Sequence, residues 1–463
     1  MKAFFGETDA SSEELDELIK NHLSTSIEKN LKKDDQKKGG QIIIGIKGSG
    51  KTHLRKKIEG EKKENDIIFN LDTDNAQFNL DAQTIKDHSG RLKNYISLEI
   101  LRNLLKHIDS LNTTDKTLKE KLNNVFQAGV GLLSKIPEAV DLKVPYATID
   151  LKKIFESDNG SLVQSAWQKI IDDLFNELSD QKIYILIDDA EDVFKNLEKS
   201  PDFIEALSRS IKDINNHGKE KIHALLFLKK GIWRIWYENP REYDKVKTVI
   251  EFIQWSKNDV LDILTKRIAE IHNIKFIPSD REKIWSKEFD FKKQSFKEIS
   301  DFMYSLIING PRDIIEIANE AKFNSEKTKI SLEEIKKIES QYSQDKLYGL
   351  NADFGDIYPS IHNFIEIVFN GEQYEMSGKE FQDAIELKGL ADKKVQRQFK
   401  DIAWFEELGK KQVAVMLYKI GFIRVKVKGQ YYHSIEKADL KPSDISGNTI
   451  QIHPAFRSHL GMA

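Results

Sequence analysis

The chain has 463 residues, room for about three domains at ~150 residues each. Its 72 Lys and Arg against 75 Asp and Glu leave a formal charge of −3, which excludes a strongly basic chromatin-type protein and an acidic disordered tail. Hydrophobic residues, at 39%, supply material for real cores, and the lack of cysteine removes disulfides, thiolate metal sites, iron–sulfur clusters and cysteine nucleophiles.

Residues 1–17 lack the basic-then-apolar pattern of a signal peptide, and no apolar run reaches the ~18 residues that cross a bilayer. The expectation is a cytoplasmic protein with no membrane partner. Leu15, Leu18, Ile19, Leu23, Ile27 and Leu31 recur at three- and four-residue steps and predict a helix over 11–31. A charged stretch then ends in Gly39-Gly40, a linker. Four apolar runs without alternation follow, at 41–44, 67–71, 183–187 and 224–228. Such runs suit parallel strands buried on both faces, and helical patterns separate them. An insertion at about 75–180 carries helices near 92–108 and 162–178, while its apolar middle, 125–144, has no clear assignment. Beyond Trp255 the pattern is helical over 259–271, 297–308, 312–323 and 331–342. The organisation expected is a helical segment (1–38), a nucleotide-binding α/β domain (39–250), a helical lid (251–345) and a winged-helix domain (346–463).

Residues 45–52, Gly-Ile-Lys-Gly-Ser-Gly-Lys-Thr, match the phosphate-loop pattern G-x-x-x-x-G-K-[ST] in full. Gly45, Gly48 and Gly50, with Ser49 between the last two, let the backbone turn tightly and aim N–H groups at phosphate oxygens. Lys51 supplies a point charge for the β- and γ-phosphates. Thr52 offers a hydroxyl to Mg²⁺, and the helix from His53 onward points its positive end at the same anion. The strand at 183–187 runs into Asp188 and Asp189. Asp188 is the candidate Mg²⁺ ligand, and Asp189 the candidate to orient or deprotonate the attacking water, with Glu191 as its competitor. Lys229, ending the fourth strand, is a candidate γ-phosphate sensor, though a solvated lysine pair with Lys230 explains it equally. Pro311, Arg312 and Asp313 open a helix with proline at the first position and an acid in the first turn.

This order of phosphate loop, two-acid strand, sensor strand, helical lid and terminal winged helix resembles the STAND and AAA+ branches of P-loop ATPases, close to the replication-initiator-like ATPases. More narrowly it is similar to a bacterial ATPase group with Phe-Gly near the start (Phe5-Gly6), Ile-Gln-Trp-Ser before the lid (253–256) and Ile-His-Pro near the end (452–454). Members of that group are often encoded in mobile or phage-defence loci. The resemblance implies ATP and Mg²⁺ as cofactors, and a nucleotide between core and lid. It implies Lys51 on phosphates, Thr52 and Asp188 on the metal, and Asp189 on the water. It also implies Arg312 as lid sensor, Pro311 against the base, and Phe4, Phe5 and Gly6 beside the adenine. Lys229 departs from the arginine the pattern leads one to expect. A molecular switch that self-assembles or acts on a separately encoded effector, with a role in antiviral defence, is the function it implies.

A helix over 413–421 followed by a hairpin around Gly429-Gln430 is a winged-helix pattern. Arg424, Lys426 and Lys428 share one strand face and could meet phosphates, so a DNA-binding regulator with nucleotide as a structural ligand is the alternative. Transfer of phosphate to a small acceptor is a third reading, disfavoured by the two-acid strand. Asp72-Thr73-Asp74 begins like a calcium loop but has Gln77 and Gln83 where glycine and glutamate belong. His453 and His459 lack zinc-ligand spacing.

Overall fold

A computed structural model describes residues 4–7, 41–62, 66–71, 92–106, 116–133, 140–141, 148–149, 160–178, 180–188, 201–230, 233, 243–308, 310–325, 327–355, 357–390, 403–434 and 440–462. The helix expected over 11–31, the acids Asp189 and Glu191, and Asp72 to Gln83 lie outside the described residues. The chain divides into two compact units, one of residues 9–254 and one of residues 1–8 with 255–463.

The first unit is built on a parallel five-stranded sheet. Its strands are β1 (Ile42–Gly45), β2 (Ile67–Leu71), β3 (Ile183–Ile187), β4 (Ile222–Lys229) and β5 (Ile250–Phe252), in the order β2-β3-β4-β1-β5. Every residue of β1 and β3 is buried, as unalternated Ile and Leu runs require in a sheet covered on both faces. The helices are α1 (Lys51–Lys62), α2 (Leu92–Lys106), α3 (Lys116–Leu133), α4 (Gly160–Glu177) and α5 (Pro201–Gly218). Leu98, Leu101, Trp167, Ile171, Leu207 and Ile211 from three of these helices share one apolar core with the sheet. The apolar middle of the insertion is thus partly α3, which runs through Gly129 and Gly131. A two-residue antiparallel pair, Val140–Asp141 with Thr148–Ile149, follows. No helix among the described residues is long and apolar enough to cross a membrane.

The second unit begins with helices α6 (Lys257–Ile271), α7 (Phe296–Ser305), α8 (Pro311–Phe323) and α9 (Leu332–Phe354). Ser256 and Ser295 close capping boxes with Asp259 and Glu298, satisfying the first amides of α6 and α7. A four-stranded antiparallel sheet lies further along. Its strands are β6 (Glu375–Ser377), β7 (Ile423–Val427), β8 (Gln430–Tyr432) and β9 (Thr449–Ile452), in the order β8-β7-β9-β6. Helices α10 (Ile361–Phe369), α11 (Gly378–Ala384) and α12 (Ala403–Lys419) accompany it, α12 being broken at Gly409. The hairpin turn is Lys428-Gly429 rather than Gly429-Gln430. Both residues have positive φ, 51° and 85°, as a two-residue mirror-image turn needs, so Gln430 is already paired with Val427.

The unit boundary falls at 254/255, a few residues beyond the expected 250, because Ile250–Phe252 pairs with β1 as an edge strand. The expected division at 345/346 does not appear, since α9 runs unbroken through it.

Candidate functional site

In a parallel sheet every strand delivers its carboxyl end to the same edge, and ligands gather there. Three candidate groups meet on this edge: the loop after β1, Asp188 after β3 and Lys229 ending β4. Register fixes their relation. Gly45 pairs with Lys229, and Ile187 pairs with Leu226. Strand β4 therefore lies between the glycine loop and Asp188, two strand spacings or about 10 Å apart. Lys229 stands beside the point where the loop begins.

The loop is tightly wound. Gly48 and Gly50 have φ of 76° and 90°, conformations that side chains rarely tolerate. A Cβ at Gly45 would come within 2.2 Å of Ser49 Oγ, so the loop closes over its own start. The Ser49 amide donates to the Ile46 carbonyl (3.2 Å), and Leu54 N–H donates to the Gly50 carbonyl (2.9 Å), which starts α1 at the loop's end. Lys51 is only 7% exposed. Its Nζ bends back to donate to the carbonyls of Gly45 (3.0 Å) and Ile46 (3.1 Å), so the ammonium is held at the loop's centre. Thr52 and His53, next on α1, are half-buried, and Ser49 is buried.

Asp188 is 4% exposed. A buried carboxylate needs a cation or several donors. Arg55, one turn beyond Thr52 on α1, supplies one: its Nε donates to Asp188 Oδ2 at 3.3 Å, and its Nη1 lies 3.5 Å from Glu59. Arg55 did not stand out in the sequence. Its signal was position, since a residue three after Thr52 shares the helix face that carries Thr52.

Pro311 and Arg312 belong to the second unit. Gly310 has φ 94° and packs on the Trp255 ring, and Pro311 opens α8 at the first helical position, buried, with Arg312 half-buried beside it. Asp313 accepts from the Ile308 amide (2.7 Å) and from Lys346 Nζ (2.9 Å). Phe5 also belongs here. Its amide donates to Asn319 Oδ1 (2.8 Å), its carbonyl accepts from Arg267 Nη1 (2.9 Å), and its ring is 1% exposed and stacks on Phe289. Phe5, expected beside the adenine, is an interior residue whose backbone is held by α6 and α8. Phe4 is more exposed and carries the Lys322 ammonium over its ring, 4.6 Å from the centroid.

A family model, described as the FunZ-associated C-terminal helical domain, matches residues 258–351, the stretch from α6 into α9. No curated protein matches the chain, and no solved structure does.

The basic face expected on the hairpin strand β7 is not a free row of cations. Arg424 Nη2 donates to the Ser305 carbonyl (3.1 Å) and lies 2.8 Å from His453 Nε2. Burial, then the Arg424 charge beside it, hold His453 well below the ordinary histidine range, so its ring is uncharged. Its Nδ1 accepts from Ala455 N–H and caps the helix that follows. Burial, then Arg424, lower Arg457 to about 10. Lys426 lies over the Tyr431 ring. Among the described residues, no group of three or more His, Asp or Glu could hold a metal by itself.

Proposed function

We propose that the chain binds ATP with Mg²⁺ at the 45–52 loop and hydrolyses it, acting as a nucleotide-dependent switch of the P-loop class. The observation that carries this reading is the convergence on one sheet edge of a glycine loop wound around a buried lysine and a buried carboxylate across an intervening strand. The intervening strand ends in Lys229, level with Gly45. A turn of consecutive amides at a helix start favours an anion, and the Lys51 ammonium adds the charge that a triphosphate needs.

The donor set fits Mg²⁺. The Thr52 hydroxyl and the Asp188 carboxylate are hard oxygens, and this cation takes few protein ligands, drawing the rest from phosphate and water. When bound, Mg²⁺ would neutralise charge on the β- and γ-phosphate oxygens. The protein's own groups do the rest. Lys51 exchanges two carbonyl acceptors for phosphate oxygens. Lys229 faces the terminal phosphate from β4. Asp189, or Glu191, orients the water that attacks the γ-phosphorus and takes up its proton, while the bond from that phosphorus to the bridging oxygen breaks in line and ADP leaves.

Calorimetric titration of ATP and Mg²⁺ into the full chain tests the reading, with phosphate release measured alongside. The wild-type chain is expected to bind and to release phosphate to water. Lys51→Ala is expected to bind at least about tenfold more weakly, the cost of losing a charge-assisted contact. An absence of heat with folded wild-type protein would remove the reading, and so would an unaltered Lys51→Ala variant.

A further inference from the structure

Asp188 and Arg55 are 133 residues apart in sequence and meet through folding alone. The Arg55 side chain is 15% exposed and that of Asp188 5%, so the pair is shielded from solvent on both sides. Such a pair offsets part of the cost of burying the carboxylate at the end of β3. Resting on the ATP and Mg²⁺ reading above, a second cation must reach the same carboxylate, with Thr52 one helical turn from Arg55 as its other protein ligand. A guanidinium on Oδ2 and a divalent ion on the same buried carboxylate repel one another, and burial leaves that repulsion poorly screened.

The structure offers Arg55 somewhere to go. Glu59, one turn further along α1, is already 3.5 Å from Nη1, and its side chain is 28% exposed. We propose that Arg55 is an ionic latch on the metal position: without nucleotide its guanidinium occupies Asp188, and it transfers to Glu59 when a divalent cation arrives. Asp188 exchanges the guanidinium for the metal, and Arg55, which bridges both carboxylates at the start, keeps Glu59. The latch keeps bare divalent ions from Asp188 and makes metal entry depend on the phosphate charge that arrives with it. The nucleotide is then bound as a metal complex rather than in two independent steps.

The test uses the full chain and Mn²⁺, a paramagnetic probe of Mg²⁺ sites, titrated by electron paramagnetic resonance without nucleotide. Wild type is expected to bind Mn²⁺ weakly. Arg55→Gln is expected to bind it about tenfold more tightly, with ATP affinity in EDTA within about twofold of wild type. Arg55→Lys keeps the charge and is expected to stay near wild type. Glu59→Gln removes the second seat and is expected to weaken Mn²⁺ binding in the presence of ATP by about threefold or more. If Arg55→Gln is folded by circular dichroism and binds Mn²⁺ no better than wild type, the latch is wrong. If that variant does not fold, Glu59→Gln decides: weaker Mn²⁺ binding with ATP supports the latch, and unchanged binding overturns it. Wild-type protein that binds no ATP under any condition would instead remove the reading beneath the proposal, a result separable from all the others.

Discussion

Lys229 is the register partner of Gly45, so the last residue of β4 stands level with the first residue of the glycine loop. That position is set by backbone pairing and survives any change of side chain. A cation there lies beside the start of the loop proposed to hold the triphosphate.

We predict that Lys229→Ala lowers the turnover of ATP by about ten- to a hundredfold, as expected for removing one preorganised charge from a developing anion. Binding should change by less than about threefold, since the loop and Lys51 remain. Phosphate release at saturating ATP and calorimetric affinity separate the two. Turnover equal to wild type would assign Lys229 to solvent.

Much of this edge could be read from residues alone. The runs at 67–71 and 183–187 coincide with β2 and β3, because Ile, Leu, Phe and Tyr interrupted only by Asn70 have few other homes than a doubly covered strand. Strand β5 escaped notice. Ile250-Glu251-Phe252 is three residues long with a charge at its centre, and Phe252 is 40% exposed, so only pairing with β1 makes it a strand. The helical pattern of 331–342 is only the first half of α9, which continues through the polar stretch Ser343-Gln344-Asp345-Lys346. Leu347 and Leu350 resume the buried face, and Ser343 itself is buried. Arg55 and the interior seat of Phe5 rest on contacts with residues far away in sequence, which spacing cannot reveal.

The Phe5 seat gives a stability prediction. Phe5→Ala empties a site that is 1% exposed and removes a ring stacked on Phe289, at a cost of about 3–5 kcal/mol to the second unit. Hydrogen exchange in the full chain should quicken in α6 and α8 and stay as in wild type in β1 and β3. Unchanged protection in α6 and α8 would contradict the account.

Lys346 stands between two carboxylates, Asp313 at 2.9 Å and Glu316 at 2.6 Å. Burial alone would lower its pKa, but these two charges outweigh burial and raise it above the ordinary lysine value. We predict that Lys346→Met destabilises the protein by about 3–5 kcal/mol, because Asp313, fully buried, loses its cation. Adding Asp313→Asn should recover part of that loss. Urea denaturation measures both variants, and a double variant no better than the single one would refute the pairing.

Glu320 sits in the last turn of α8, where a negative charge opposes the helix dipole. Burial, then Glu316 and Asp345, raise its pKa from 4.5 to about 7. The folded state therefore holds a proton that the unfolded chain has released, and this contribution to stability is complete below pH 4.5. It declines as pH rises from about 4.5 to about 7, then stays lost. We predict that Glu320→Gln raises the melting temperature at pH 8, by an amount on the order of 1 kcal/mol in stability, and leaves it nearly unaltered at pH 4.5. A gain of equal size at both pH values would show that the charge is not the cause.

Asn319, which receives the Phe5 amide, lies 314 residues further along the chain. On the ribosome the Phe5 ring must wait, unhoused, while the whole parallel sheet is synthesised and becomes free to condense. Closing so long a loop is slow. Newborn chains consequently pass through a stage in which one part is finished and the apolar segment around Phe5 is still unburied, the moment at which a chaperone has something to hold.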